Sequence, residues 1–521
     1  MLNLSVILED SARRFPSKEA FIFMDKRLTF VQVNAAANQV AQVLIAKGIK
    51  PGEKVALSCL NLPYFPIIYF GILKAGAVVV PLSVLLKKDE IAYHLSDSEA
   101  KAYFCFTGTD QLPMGTMGYE GFQQAEQCEH FIIITPQLDD PSPYTGISTL
   151  GSLVANQSPE FQCVASGAED TAVIIYTSGT TGRPKGAELT HANLFLNANL
   201  CVDLLDFRRE DVTLIVLPMF HIFAMTVLMN AGLQYGLTAV LIPRFDAGAV
   251  FSLMQEHKVT VFAGVPTMYW GLLNYQDDAV DLTGISKHLR LCVSGGASLP
   301  VQVLKEFESK FKVPILEGYG MSEGSPVVTF NHLDRERKPG SIGIPVWGVE
   351  VKLVDDDEQE VPVGEKGELL YRGHCVMKGY YKRPEANAEA LKGGWMHSGD
   401  VATKDKDGYY YIVDRTKDMI LRGGLNVYPR EVEEVMMKHE AVSLVAVIGV
   451  PDERLGEEVK ACVVLQPSSN ISEPDLMQWT KEQIADYKYP RQIEFMEALP
   501  MSATGKILKR ELRSALEKAN S

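Results

Sequence analysis

The run Tyr176-Thr177-Ser178-Gly179-Thr180-Thr181-Gly182-Arg183-Pro184-Lys185-Gly186 constrains this chain more than any other stretch. It follows an apolar segment, Ala172 to Ile175, that reads as a buried strand. Its glycines let the backbone turn tightly and aim N–H groups inward. The hydroxyls of Thr177, Ser178, Thr180 and Thr181 can donate to anionic oxygens, and Lys185 adds a positive charge. A strand opening into such a loop has the makings of a phosphate cradle. It is not the Walker type, in which Gly-Lys-[Ser/Thr] opens a helix. Here Pro184 precedes the lysine and removes a backbone donor.

The chain of 521 residues exceeds one hydrophobic core and predicts about two to four folding units. Apolar residues make up 46% and charged residues 22%, the balance of a soluble globular protein. A net charge of -15 argues against a nucleic-acid binder, which would carry a basic surplus. The cysteines (Cys59, Cys105, Cys128, Cys163, Cys201, Cys292, Cys375, Cys462) form no C-x-x-C pair and no metal-ligand spacing. They read as reduced thiols of a cytoplasmic protein. The apolar stretch Leu4 to Leu8 is too short for a signal peptide, and Glu9 and Asp10 follow at once. Ile222 to Ile242 carries no charge over about twenty residues, the length of a membrane span. Asn230, Gly232, Gln234 and Gly236 interrupt it, so it predicts a buried helix, a glycine turn and a strand. Peripheral membrane contact and the choice between monomer and homodimer stay open.

Strand and helix signals alternate through most of the chain. Asn34 to Lys47 predicts a helix, Lys54 to Cys59 a strand, Phe65 to Lys74 a helix and Val78 to Pro81 a strand. No periodicity assigns Gly108 to Gly167. Thr190 reads as the N-cap of a helix over His191 to Leu205. Strands are expected at 213–217, 238–242, 259–264, 291–294 and 313–317, with a helix at Val301 to Phe311. From Ile342 onward short strands and Asp-rich turns take over. Beyond Asp414-Arg415-Thr416-Lys417-Asp418 lie about one hundred residues, a small-domain length. The fold class is α/β: a large N-terminal domain (1–414) of strand–helix layers plus a β-rich subdomain, a hinge (415–417), and a small α+β C-terminal domain (418–521).

Further motifs follow the first in order: Pro218-Met219-Phe220-His221, Ser294-Gly295-Gly296-Ala297, Glu317-Gly318-Tyr319-Gly320-Met321-Ser322-Glu323, His397-Ser398-Gly399-Asp400, Asp414-Arg415, Leu421-Arg422-Gly423-Gly424-Leu425-Asn426 and Ser502-Ala503-Thr504-Gly505-Lys506. Taken together with the first loop, this series resembles the adenylate-forming superfamily of acyl-CoA synthetases, luciferases and peptide-synthetase adenylation domains. It is most similar to bacterial medium- and long-chain fatty acid–CoA ligases. Two elements depart from the usual pattern, with Ser322 and Ser398 where threonine is common. Both keep the hydroxyl.

The resemblance implies ATP, Mg²⁺ and coenzyme A as cofactor and co-substrates, and a carboxylic acid as the group activated. It implies a phosphate cradle of Thr177, Ser178, Gly179, Thr180, Thr181 and Lys185, and an adenine site at Gly296, Ala297, Glu317, Gly318, Tyr319 and Gly320. Ser322 would meet the α-phosphate. Thr181 and Glu323 would hold the metal, and Asp400 and Arg415 the ribose. His221, Val265, Met268, Gly320 and Met321 would line the acyl pocket. Lys417 would be the hinge of a mobile cap. Gly423 and Gly424 would belong to a loop presented after rotation. Lys506, His221 and Glu323 would be the catalytic groups. An aryl-acid CoA ligase, an enzyme loading a carrier protein and a catalytically dead nucleotide-binding protein remain as alternatives.

Overall fold

The computed structural model describes residues 2–177, 183–415, 418–452, 454–467 and 469–519. Strand–helix alternation builds two large, mainly parallel sheets. The first runs, edge to edge, through Ile344–Pro345, Val327–Phe330, Ile315–Gly320, Leu291–Ser294, Val261–Gly264, Val212–Ile215, Thr238–Leu241, Glu19–Phe23 and Lys26–Thr29. The second runs through Gly379–Tyr380, Lys185–Thr190, Thr171–Thr177, Val78–Pro81, Lys54–Ser58, Ala100–Phe106, His130–Ile134 and Ser148–Thr149. Central strands such as Val78–Pro81 and Leu291–Ser294 are buried along their whole length, as parallel strands covered on both faces must be. Both edges of the first sheet and the Gly379–Tyr380 edge of the second pair antiparallel, while the Ser148–Thr149 edge stays parallel.

Asn61 joins the two sheets just past the end of the Lys54–Ser58 strand. Its side-chain amide donates to the carbonyls of Ile215 (3.2 Å) and Leu217 (2.9 Å) and accepts from Met219 N–H at 2.9 Å. The C-terminal ends of parallel strands from both sheets are thereby held together, the place where ligand crevices form in such sheets.

A four-stranded sheet, Val349–Val354, Gly367–Gly373, Met396–Lys404 and Tyr410–Arg415, follows. The chain then enters a small sheet built from Leu425–Val427, Ile420–Arg422, Gly456–Leu465, Val442–Asp452 and Gln492–Phe495. Helices Pro429–Met436, Glu473–Gln483 and Lys509–Ala519 accompany it. The expected hinge residue Lys417 lies outside the described residues.

Past the phosphate-type run, Lys185–Thr190 is a strand paired antiparallel with Thr171–Thr177. The unassigned 108–167 region contains the helix Met114–Gln123, which packs through small residues rather than an apolar stripe. A Cβ at Gly118 would meet Cys105 Sγ at 2.5 Å, so close approach replaces hydrophobic periodicity there. The uncharged 222–242 segment forms π-helical turns at Phe223–Asn230, a helical turn at Ala231–Tyr235 and the strand Thr238–Leu241. No helix among the described residues is long and apolar enough to cross a membrane.

The helix His191–Leu204 shows how local chemistry fixes an element. Thr190 Oγ1 accepts from Asn193 N–H at 3.0 Å, and Asn193 Oδ1 accepts from Thr190 N–H at 2.9 Å, a reciprocal cap. Asn193 also donates to the carbonyls of His374 (2.6 Å) and Val376 (3.1 Å), tying the helix to a distant segment. Thr190→Ala should cost about 1 kcal/mol. Asn193→Ala should cost about 2–3 kcal/mol, because it also strands buried carbonyls. Urea midpoints check the ranking, and equal or reversed shifts would contradict it.

Candidate functional site

Lys506 is delivered by a tight loop. Ser502 N–H donates to the Lys506 carbonyl at 2.8 Å, and Lys506 N–H donates to Ser502 Oγ at 3.1 Å. The loop docks on the first sheet's helix Pro266–Asn274, where Thr267 Oγ1 donates to the Gly505 carbonyl at 2.8 Å. Gly505 has φ +76°, and a Cβ there would lie 2.8 Å from Val265 Cγ2 and 2.9 Å from Thr267 Oγ1. Only glycine fits. Gly296 lies beside the lysine stem, where a Cβ would stand 3.4 Å from Lys506 Cε and 3.6 Å from Val265 Cγ1.

The Lys506 amine enters a charged enclosure. Burial, reinforced by the cation of Arg415, lowers its pKa to about 8, while the carboxylates of Asp400 and Glu323 pull the other way. The Arg415 guanidinium lies 3.4 Å from Asp400 Oδ1, and Tyr319 donates its hydroxyl to Asp400 Oδ2 at 2.6 Å. Glu323 accepts from Thr177 Oγ1 at 3.1 Å and from Tyr380 at 2.8 Å. Lys185 stands 4.5 Å over the Tyr380 ring, beside that carboxylate. His221 completes the enclosure. Burial first, and the Lys506 charge second, hold its pKa down at about 3. Phe223 N–H donates to its Nδ1 at 3.3 Å, which leaves Nε2 to carry the proton of a neutral ring. With Nδ1 accepting, His221 can present an Nε2–H donor to the enclosure.

The floor is formed by the ends of two parallel strands. Ser294 precedes Gly295 and Gly296, and its Oγ has no hydrogen-bond partner among the described residues. Glu317 accepts from Leu299 N–H at 3.0 Å through Oε1, while its buried Oε2 makes no hydrogen bond there. Burial raises the Glu317 pKa to about 7, against the pull of Arg430 and the Leu299 N–H. Gly318 cannot carry a side chain, because a Cβ would meet the Phe330 ring at 2.2 Å.

The structure therefore gathers Thr177, Lys185, His221, Val265, Gly296, Tyr319, Glu323, Asp400, Arg415 and Lys506 around one cleft. Ala297, Gly320, Met321 and Ser322 continue its strand ends, and Met268, the residue after Thr267, is buried. Ser178, Gly179, Thr180 and Thr181 lie outside the described residues. Gly423 and Gly424 are not in this cluster. They turn the hairpin between Ile420–Arg422 and Leu425–Val427, Gly423 N–H donates to the Leu455 carbonyl at 2.8 Å, and a Cβ at Gly424 would meet open space. Sequence reading missed Thr267 and Tyr380. Each acts through one hydroxyl, and neither sits in a motif whose chemistry is visible from spacing.

Residues 8–381 match the family described as AMP-binding enzyme, and residues 431–506 match the AMP-binding enzyme C-terminal domain. This chain belongs to the AMP-binding enzyme family. Within it, a long-chain-fatty-acid–CoA ligase of Bacillus subtilis is 36% identical, with 98% of this chain and 94% of that protein covered. A feruloyl-CoA synthase of an Amycolatopsis species is also 36% identical, covering 96% of each. The solved structure of an anthranilate CoA ligase in complex with anthranoyl-AMP superposes with a TM-score of 0.91 at 33% identity, covering 99% of this chain and 98% of that one.

The donor set fits the groups the family implies. Three His, Cys, Asp or Glu side chains able to share a metal do not occur together among the described residues. A hard cation held by Glu323 would take most of its oxygens from phosphates, as Mg²⁺ does. Gly505→Ala should push the loop outward through a bad contact and an unfavourable φ. We expect adenylate formation to fall roughly tenfold to a hundredfold with unchanged circular dichroism. Full activity in that variant would contradict the docking described.

Proposed function

We propose that this chain is an ATP-dependent acid–thiol ligase, which joins a carboxylic acid to coenzyme A through an acyl-adenylate with release of AMP and pyrophosphate. The observation that carries the reading is the Lys506 amine standing among Asp400, Arg415, Glu323, His221 and Gly296. A carboxylate and an α-phosphate are both anions, and they approach each other only where fixed positive charge lies between them. Lys506 supplies that charge in a cleft that excludes much of the surrounding water.

The chain's residues divide the work. Thr177, Ser178, Gly179, Thr180, Thr181 and Lys185 cradle the phosphates, with Ser322 toward the α-phosphate. Gly296, Ala297, Glu317, Gly318, Tyr319 and Gly320 border the adenine. Asp400, oriented by Tyr319 and Arg415, accepts from the ribose hydroxyls. Glu323 and Thr181 hold Mg²⁺, which screens phosphate charge when bound. His221, Val265, Met268, Gly320 and Met321 face the acyl group. The second half-reaction, thiol attack, needs the Lys506 loop out of the way. A swing of the 418–521 unit about Lys417 would bring the Gly423-Gly424 turn toward the cleft.

For the acid we favour an unbranched fatty acyl chain, supported by the fatty-acid ligase among the relatives and by the flexible Met268 and Met321. An aryl acid is the second reading, supported by the feruloyl and anthranilate ligases at similar identity. Assays of AMP release with a panel of fatty and aryl acids, with and without coenzyme A, decide between them. AMP production indifferent to coenzyme A would sink the ligase reading. Lys506→Ala should abolish adenylate formation and leave thiolysis of supplied acyl-adenylate largely intact, and equal loss of both would count against its role.

The pH dependence has a definite sign. The amine acts as a cation, so the kcat/KM for adenylation should hold steady below pH 8 and fall as pH rises through about 8. Bound phosphates favour the charged form, so kcat should fall only at higher pH. Coincident alkaline limbs would contradict this.

A further inference from the structure

The helix Lys88–Ser98 lies outside every motif of the cleft, yet its side chains meet both arms of the phosphate-type run. Tyr93 and Asp97 stand one helical turn apart on it and so share a face. The Tyr93 hydroxyl donates to the Pro184 carbonyl at 2.7 Å, on the arm that leads into Lys185. On the other arm, Tyr176 donates its hydroxyl to Asp97 Oδ2 at 2.9 Å. Ring contacts accompany these bonds. The His94 ring meets the Tyr176 ring edge-on at 4.5 Å, and the Arg183 guanidinium lies 5.4 Å over the Tyr93 ring.

The same helix end holds a third segment. Arg383 donates to Asp97 Oδ1, so one carboxylate serves both Tyr176 and Arg383. Glu99, just past the helix, accepts from the Tyr381 hydroxyl at 2.7 Å and from Lys382 at 2.6 Å. The strand Gly379–Tyr380 before them pairs with Lys185–Thr190, and Tyr381 N–H donates to the Gly186 carbonyl at 2.8 Å. This is the segment whose Tyr380 reaches Glu323 and lies under Lys185.

We propose that Tyr93 and Asp97 are positioning residues for the triphosphate, a clamp that fixes both arms of the run from outside the cleft. The proposal rests on the ligase reading above and adds to it residues that none of the cleft motifs contains. Glycine gives up more backbone freedom than any other residue when it is ordered. Anchoring both ends of a glycine-rich run beforehand lowers the cost of closing it on phosphates. The effect should fall on the β- and γ-phosphates, since Ser322, on a different segment, meets the α-phosphate in that reading.

Tyr93→Phe is the decisive variant, because it keeps the ring beneath Arg183 and removes only the hydroxyl that meets Pro184. Calorimetry on the full chain, with Mg²⁺ and without acid, compares ATP with AMP. Tyr93→Phe should weaken ATP binding about fivefold, the worth of one hydrogen bond, and leave AMP binding unchanged. In adenylation the KM for ATP should rise by the same factor at unchanged kcat. Coenzyme A attack on supplied acyl-adenylate should keep the wild-type rate. Asp97→Ala should act in the same direction, and Asp97→Asn should recover part of the loss, because its amide carbonyl still accepts from Tyr176. Unchanged ATP affinity in Tyr93→Phe, as a purely stabilising role would give, or equal weakening of ATP and AMP, would overturn the clamp. Failure of the wild-type chain to form any acyl-adenylate would instead overturn the ligase reading, while the two nucleotide affinities would still report on the clamp.

Discussion

The structure turns on one costly placement: an amine carried into an enclosure that already holds another cation. Desolvation and Arg415 both work against the charge of Lys506, and only Asp400 and Glu323 favour it. Charge kept out of water is expensive unless paired. Here the geometry enforces it through the backbone, with Gly505 pinned to Thr267 and Gly296 beside the lysine stem. A site with two converging cations is poised for a polyanion. The neutral His221 and the buried Glu317 add no cation to that field at pH 7.

Around that placement, the large sheets hold the cleft and the small unit carries the lysine. Asn61 binds the two sheets at their strand ends, so the segment leading to His221 is fixed by hydrogen bonds to main-chain groups. The junction with the small unit uses contacts of another kind. Trp270 Nε1 donates to Ser443 Oγ at 3.0 Å, and Lys366 sits 3.9 Å over the Tyr428 ring. Such polar and cation–π contacts can be exchanged for water at modest cost. The same contacts that hold the lysine in place therefore permit its withdrawal.

Much of this was legible in the residues. Elements buried on every side, such as Val78–Pro81 and Leu291–Ser294, declare themselves as unbroken apolar runs. The amphipathic helix Val301–Phe311 declares itself by its spacing. The glycine-faced helix Met114–Gln123 was silent, because the property that lets it pack is the absence of side chains. The strand after the phosphate-type loop was hidden too, since Lys185–Thr190 carries mixed polarity. Among the site residues, motif order singled out Lys506, Asp400 and Glu323. Thr267 and Tyr380 act through contacts across long sequence separations, which no local pattern encodes.

If the Lys506 amine in the cleft serves only the first half-reaction, that arrangement must be left for the second. Trp270 and Ser443 meet across the junction, and the native cysteines are buried or partly buried. A Trp270→Cys/Ser443→Cys chain joined by a short, cleavable thiol cross-linker would therefore hold the lysine in. The joined chain should form acyl-adenylate but make no acyl-CoA until the link is cut. Acyl-CoA formation at the full rate with the link intact would contradict it.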